Sequence, residues 1–348
     1  MSIAAEARVR PAGIIARELM RQQISQVPIQ PLNPESGPTL AWMVVLAVAR
    51  AAEQAARENR RIAFTLADDD ELRGIRDDDP DAVVAWQPSH GWICLLPADD
   101  DRRALIDLYL PVCSATAVHP VTVGHLGESL DGFIATHTGD SQWVTGPENV
   151  VHMHRLRALC DAVVVGAGTV AADDPQLTTR LVPGRNPLRV VLDPGRRLRD
   201  DHRVFQDDGS DTLYVCAREL VEPGERRFGS AEVFGVSGTG DGLDLHELIG
   251  ALRARGCSRI FVEGGGVTVS TFLQADLLDR LHLAIAPLLI GDGRAAIRLP
   301  PPVALGDCHR PAYRVFRMGG DVLFDCDLRS RLDDFPSGDE DRTIARII

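Results

Sequence analysis

Lysine is absent from this chain of 348 residues, and arginine supplies all 37 basic side chains. A lysine nucleophile or a lysine Schiff base is therefore excluded. Fifty carboxylates outnumber the arginines and leave a formal charge of −13. That balance argues against nucleic acid and anionic membrane surfaces, which draw their affinity from a basic face. It leaves room for small phosphorylated ligands, which need only a local cluster of arginines. Long apolar runs are lacking too. The longest, Leu40 to Ala49, falls far short of the roughly 20 residues that span a bilayer, and residues 1–23 hold no continuous apolar core of a secretion signal. The seven cysteines, Cys94, Cys113, Cys160, Cys216, Cys257, Cys308 and Cys326, form no C-x-x-C pair. Free thiols in a cytoplasmic protein are expected, without disulfides or a metal site.

The apolar share of 45% and the charged share of 25% are those of a globular protein, and the length suggests two domains. Residues 24–38 carry four prolines and read as loop. Residues 39–60 have helical periodicity. Ala82–Trp86 and Gly91–Leu96 read as a hairpin, and Asp99–Asp101 as the start of a helix reaching about Leu110. Pro111 to Ala117 reads as a linker. These residues, 1–117, carry no motif tied to chemistry, and a small α+β packing or dimerisation module is expected.

From His119 the pattern changes. Apolar strands at Val121–Val123, Ala162–Val165, Leu188–Leu192, Leu213–Cys216, Arg259–Val262 and His282–Ile285 alternate with helices at Asn149–Leu159, Leu245–Arg255 and Thr268–Gln274. Such alternation predicts an α/β domain over residues 118–328: three layers, with a largely parallel sheet and helices on both faces. Tyr313–Met318 and Asp321–Cys326 flank Gly319-Gly320 as an antiparallel edge hairpin. Residues 329–348, mostly charged, read as a loose tail.

Two glycine-rich strand-to-helix turns carry the clearest chemistry. In Ile260-Phe261-Val262-Glu263-Gly264-Gly265-Gly266 an apolar strand ends at a carboxylate and three glycines, and a helix follows. Glycines admit a ligand close to the backbone, and the free amides of a helix start attract phosphate. Open α/β sheets bind ligands at this end of their strands. The second turn, Gly166-Ala167-Gly168-Thr169, lacks the third glycine of a dinucleotide fingerprint, since position 171 is Ala, and reads better as one wall of a two-turn cofactor cleft. Asp173-Asp174-Pro175 after it could equally cap a loop. Trp143, in the polar turn Gly139–Thr145, is a candidate for stacking on a ring. His152 and His154 are two apart on one helix, hence poor joint metal ligands. Arg157 and Arg180 are candidate phosphate clamps.

Taken together, these segments resemble the C-terminal reductase domain of the bifunctional riboflavin-biosynthesis deaminase–reductase, which has a dihydrofolate-reductase-like fold. The resemblance rests on Ser129-Leu130-Asp131-Gly132, Gly139-Asp140-Ser141-Gln142-Trp143-Val144-Thr145, Leu156-Arg157-Ala158, Gly168-Thr169-Val170, Asp173-Asp174-Pro175-Gln176-Leu177-Thr178 with Arg180, and Val262-Glu263-Gly264-Gly265. It implies a homodimeric reductase that takes NADPH and a ribosylaminopyrimidine 5′-phosphate and yields the ribitylamino product, with hydride delivered to C1′ of the opened sugar imine. Substrate contacts would fall on Ser141, Arg157, Leu177, Arg180 and Glu263. Cofactor contacts would fall on Gly127, Trp143, Thr169, Asp173, Gly265, Gly266, Val267, Thr268, Val269, Ser270 and Thr271. His125 stands where that family commonly carries lysine, and could donate a proton or bond the substrate. With Glu263 it is the candidate catalytic residue. The zinc-deaminase motifs are missing. Two other readings stay open: a reductase of the same fold acting on another imine, and a nucleotide-binding protein without turnover. All of them require the turns around Gly168 and Gly265 to meet.

Overall fold

The computed structural model describes residues 37–67, 71–206, 209–240 and 242–331. Most of the proline-rich stretch and the charged end of the chain lie outside them. Helix α1 (Gly37–Glu58) opens the described chain and buries Trp42, Val45, Val48 and Ala52. It is long and apolar enough to cross a membrane, yet most of it is buried inside the protein. Strands β1 (Ile62–Leu66), β2 (Leu72–Ile75), β3 (Val84–Gln87) and β4 (Gly91–Cys94) form an antiparallel sheet in the order β2-β1-β3-β4. The β3–β4 hairpin falls where its sequence places it. The β1–β2 pair was hidden by the acidic residues around its turn.

Helix α2 (Arg103–Cys113) corrects the expected linker, because Pro111 lies inside the helix. Proline forfeits one helical hydrogen bond, but burial of Tyr109, Leu110, Val112 and Cys113 carries the helix through it. Asp100 stands ahead of the helix start, where its carboxylate accepts from the Arg102 amide at 2.9 Å.

The larger sheet is built from β5 (Val121–Ser129), β7 (Ala162–Gly166), β8 (Leu188–Leu192), β9 (Thr212–Ala217), β10 (Arg227–Phe228), β11 (Ala231–Val236), β14 (Arg259–Glu263), β15 (Arg280–Ala286), β17 (Pro311–Met318) and β18 (Asp321–Arg331). Its order is β10-β11-β9-β8-β7-β14-β5-β15-β18-β17. Every pairing from β11 to β15 is parallel, while β10, β18 and β17 add antiparallel edges. Small ribbons pair β6 (Phe133–Thr136) with β16 (Gly293–Ala295), and β12 (Gly238–Thr239) with β13 (Gly242–Leu243). Strand β18 runs past residue 329, three residues into the stretch expected as tail, because its register with β17 continues.

Strand β7 shows why helices cover both faces. Val163 and Val165 join one apolar cluster, Ala162 and Val164 the other, so alternate side chains need cover on opposite sides. Helices α5 (Leu245–Ala254) and α6 (Gly266–Gln274) fill the second face with Leu248, Leu252 and Phe272. On the first face, α3 (Pro147–Leu159) packs with α1 and α2, so one cluster runs from Trp42 and Tyr109 to Phe261. Polar bonds cross the same seam: Trp42 Nε1 donates to Pro183 O at 2.9 Å and Arg259 Nη2 to Ala49 O at 2.6 Å.

Candidate active site

The carboxyl ends of β5, β7 and β14 open onto a cavity of about 880 Å³. Strand β7 ends at Gly166 and passes into α4 (Ala167–Asp173), while β14 ends at Glu263 and passes into α6. The two glycine turns meet. Gly265 N donates to Thr169 Oγ1 at 3.1 Å. Gly264 has φ +136°, a region open to glycine. At Gly266 a Cβ would collide with the carbonyl oxygens of Ala295 and Ala296. The absence of side chains therefore lets the β16 segment close over the start of α6, whose first amides lack intrahelical partners.

Glu263 lines the cavity and is buried. Arg157 lies behind it: its Nε donates to Glu263 Oε2 at 2.8 Å, its Nη2 to Oε1, and its Nη1 to Thr178 O at 3.2 Å. The structure thus sets Arg157 outside the cavity wall, orienting a carboxylate rather than open to a phosphate. Arg180 donates from Nη1 to Thr178 Oγ1 at 2.6 Å and is exposed. Leu177, in the left-handed region at φ +56°, is buried in the core. Trp143, also left-handed, stays out of the wall, whereas Ser141, Val144 and Thr145 of the same turn are in it. Gly127, Thr169, Asp173, Gly265, Gly266, Val267, Thr268 and Thr271 border the cavity. Val269 and Ser270 turn inward, and Ser270 Oγ accepts from Arg298 N at 2.8 Å. Burial and the neighbouring Glu263 carboxylate raise the Asp173 pKa.

His125 also borders the cavity, and a row of buried imidazoles backs it. Tyr109 Oη lies 2.6 Å from His152 Nδ1, His152 Nε2 lies 3.1 Å from His282 Nδ1, and His282 Nε2 lies 3.3 Å from Asp325 Oδ1. Burial raises the Asp325 pKa, but His282, Arg280 and Arg314 more than offset this and hold it far below the usual range. The row thus runs from Tyr109 through His152 and His282 to the Asp325 carboxylate. Burial, then the neighbouring imidazole of His282, lowers His125 to about 4. His125 is therefore neutral near pH 7. Its Nδ1 lies 3.0 Å from His282 O, and a carbonyl accepts, so Nδ1 carries the proton. The Asn149 side chain bonds the same imidazole. The Ser129-Leu130-Asp131-Gly132 turn has a structural job. Asp131 accepts from Ser129 Oγ at 2.5 Å and from Gly291 N at 2.7 Å, which lowers its pKa to about 2 and ties the turn to the approach of β16.

A model of the RibD C-terminal domain matches residues 123–312, more than half of the chain. The chain belongs to that family. It is 38% identical over 182 residues to the 2,5-diamino-6-ribosylamino-4(3H)-pyrimidinone 5′-phosphate reductase of Methanothermobacter thermautotrophicus, covering 51% of this chain and 82% of the relative. With the Escherichia coli riboflavin biosynthesis protein RibD it shares 34% over 212 residues, 57% of each chain. Among solved structures, the Thermotoga maritima diaminohydroxyphosphoribosylaminopyrimidine deaminase/5-amino-6-(5-phosphoribosylamino)uracil reductase aligns with a TM-score of 0.52 at 27% identity, over 66% of this chain and 62% of that one. The chain thus spans most of the archaeal reductase and about half the length of the RibD relatives.

Several wall residues of this RibD-type domain carry no signal in the sequence motifs. Asn149 and Met153 come from α3, and Arg294 and Arg298 from the β16 segment. Arg197 follows β8 and shares its end of the wall with Leu192, Pro194 and Leu243. Arg294 follows Gly291-Asp292-Gly293, a glycine-rich stretch that could have drawn attention to it.

Proposed function

We propose that this chain is an NADPH-dependent reductase that converts a ribosylaminopyrimidine 5′-phosphate to its ribitylamino product. The observation that carries the reading is the meeting of the two glycine turns at one cavity, with Glu263 in its wall and Arg157 behind it. The reductase names of the archaeal and bacterial relatives support it. The residues present fit a dinucleotide. The amides of Gly266 and Val267 would hold its pyrophosphate, with Gly265, Thr268, Thr169 and Asp173 beside it and Val269, Ser270 and Thr271 fixing the helix. Gly127 would border the ring and Trp143 shape the turn next to it. Arg197 would select the 2′-phosphate at the far end. Bound there, NADPH supplies a hydride donor. The protein's part is orientation.

Glu263, held by Arg157, would accept a hydrogen bond from the sugar, with Ser141 as a second contact and Leu177 holding the backbone of the 177–180 segment. Arg294, which lies against Gly139 beside Ser141, would take the phosphate together with Arg180. Residues 118–328 would carry the reaction, and the module within 1–117 would buttress α3. A homodimer in the cytoplasm is part of the same reading, and the exposed Leu289, Val303, Leu305 and Tyr313 support the dimer. The test is NADPH oxidation by the purified chain, offered 2,5-diamino-6-ribosylaminopyrimidinone 5′-phosphate or 5-amino-6-(5-phosphoribosylamino)uracil. Turnover of one of them is expected. NADPH binding with no oxidation by either would leave a nucleotide-binding protein without this activity.

A further inference from the structure

One side chain from outside residues 118–328 reaches the back of the cavity wall. Tyr109, on α2, is fully buried, and burial pushes its pKa up to about 12, so the hydroxyl keeps its proton. Two residues of α3 meet that hydroxyl: Arg155 bonds it, and His152 Nδ1 lies 2.6 Å from it. His152 Nε2 lies 3.1 Å from His282 Nδ1, so both nitrogens of His152 are engaged. The His152 ring stacks on His282 with 5.1 Å between centroids and meets His125 edge-on at 5.2 Å. From there the contacts pass into the wall. His125 Nδ1 donates to His282 O at 3.0 Å, and the Asn149 side chain bonds both the His125 imidazole and, at 2.9 Å, Thr145 Oγ1. Thr145 belongs to the turn that puts Ser141 and Val144 in the wall. Gly127 lets that turn approach β5, since a Cβ there would stand 2.9 Å from Thr145 Cγ2. Buried polar contacts thus run without a break from α2 to the turn of Ser141. Apolar packing does not require them: the cluster around Trp42 and Tyr109 would bury a phenylalanine ring equally well.

We propose that Tyr109 is a positioning residue for the cavity: through His152 it fixes the His125 imidazole and, beyond it, the Asn149–Thr145 contact that sets the turn of Ser141. The inference rests on the reductase reading and gives the module within 1–117 a part in it beyond support of α3. Tyr109 touches neither substrate nor cofactor and acts only through its neighbours. Without its hydroxyl, His152 Nδ1 is a buried polar atom lacking its partner, a state that a ring shift relieves. The stacked and edge-on contacts carry that shift to His282 and His125. Small misplacements of groups around a reacting centre are costly even when they start far from it.

The test is Tyr109→Phe in the full chain, read in two ways. The first is NADPH oxidation with the pyrimidine phosphate that the wild type accepts. kcat is expected to fall roughly tenfold, while KM for NADPH stays within about twofold, because neither Arg197 nor the start of α6 lies on this run of contacts. The second needs no ligand. The downfield proton signal of His125 Nδ1–H, assigned by its loss in His125→Gln, is expected to shift and to exchange with water roughly tenfold faster. Thr145→Val removes the hydroxyl at the far end of the run. The two substitutions should then be non-additive, with kcat of the double variant within about twofold of the slower single one. Val48→Ala, in the same apolar cluster, is the packing control: its denaturant midpoint should fall while kcat stays within about twofold of wild type. If Tyr109→Phe does not fold, His152→Phe, which keeps a ring in the stack and removes both nitrogens, is read in the same way. A fall in kcat with the His125 signal unmoved overturns the proposal, and so does a moved signal with kcat unchanged. Additive effects of Tyr109→Phe and Thr145→Val, or an equal loss of kcat in Val48→Ala, overturn it too. A wild type that oxidises NADPH with neither pyrimidine phosphate overturns the reductase reading; the link from Tyr109 to the wall is then decided by the His125 signal alone.

Discussion

The two ends of the parallel sheet share charged residue types and differ in how the backbone is arranged around them. At the amino ends of β8 and β9 lies a groove of about 500 Å³ lined by Asp161, Arg185, Arg227, Glu232 and Arg255. Two of its arginines are paired, Arg185 with Asp161 and Arg255 with Glu232 at 2.6 Å, while Arg227 donates to the Ser230 carbonyl. Asp161 also accepts from the Arg259 amide at 2.7 Å. At the carboxyl ends, glycines replace side chains, and Arg197, Arg294 and Arg298 face the cavity with no acidic partner among the described residues. Both ends offer volume and charge. Only one brings two glycine turns and the backbone amides of a helix start to the same place.

Glu263→Gln is the strongest way to break the contrast. The amide keeps the shape and one acceptor but removes the charge that faces Arg157. A fall in kcat/KM of roughly 100-fold is expected, the scale of a missing charge-assisted bond that acts on the reacting sugar. Circular dichroism should show the fold retained. Removing the side chain altogether with Glu263→Ala leaves a buried guanidinium unpaired and should cost roughly 3–5 kcal/mol of stability. Unchanged kinetics in Glu263→Gln would remove the carboxylate from the reaction.

Much of this end was legible in the chain. Continuous apolar runs such as Ala162–Val165 and Arg259–Val262 announce strands buried on both faces, and the glycines after them announce the turns. What the chain hides is pairing across distance. Arg157 and Glu263 both read as ligand residues, and nothing in one dimension says that they neutralise each other. Asn149 reads as an ordinary residue in a helix start, because its place in the cavity wall is a property of the fold. The length of β5 is hidden for a related reason: Gly124, His125 and Gly127 break the apolar run, yet sheet register with β14 and β15 carries the strand to Ser129.

The histidine row sharpens the contrast through pH. Burial lowers His125 to about 4 and His154 to about 3, and holds His152 well below its ordinary value. All three are therefore neutral in the folded chain under conditions where the unfolded chain takes up protons. Their contribution is complete above the unfolded pKa of about 6.5 and is lost as pH falls from there toward the folded values. Each should remove roughly 1 kcal/mol per pH unit over that window. The arginine–carboxylate pairs of the groove carry no such dependence there. Denaturant midpoints measured between pH 7 and pH 5 should fall, and His152→Leu should flatten the slope. A midpoint that does not move would mean that these imidazoles are protonated in the folded state.

Arg197→Ala probes the far end of the cavity. Without its charge-assisted bond to the 2′-phosphate, KM for NADPH should rise roughly tenfold, while KM for NADH, which has no such phosphate, should stay put. An equal change for both cofactors would show that Arg197 acts on something other than that phosphate.

Glu232→Ala, in the opposite groove, should do least of all. Glu232 is exposed, and its ion pair with Arg255 stands in solvent, where such pairs contribute about 0–1 kcal/mol. Arg255 also lies over the Phe234 ring, 5.7 Å from its centroid, so it stays placed without its acid. Stability should shift by less than about 0.5 kcal/mol, and KM for both substrate and cofactor should be unchanged. The variant bears on the comparison because it leaves an arginine unpaired in a groove that otherwise resembles a ligand site. If unpaired arginines alone made an anion site, Glu232→Ala would acquire affinity for inorganic phosphate or for NADPH at this end. A second binding event in the titration of the variant would show that charge suffices. Its absence would assign the difference between the ends to the glycine turns, which bring backbone amides and buried acceptors to the same place as the arginines.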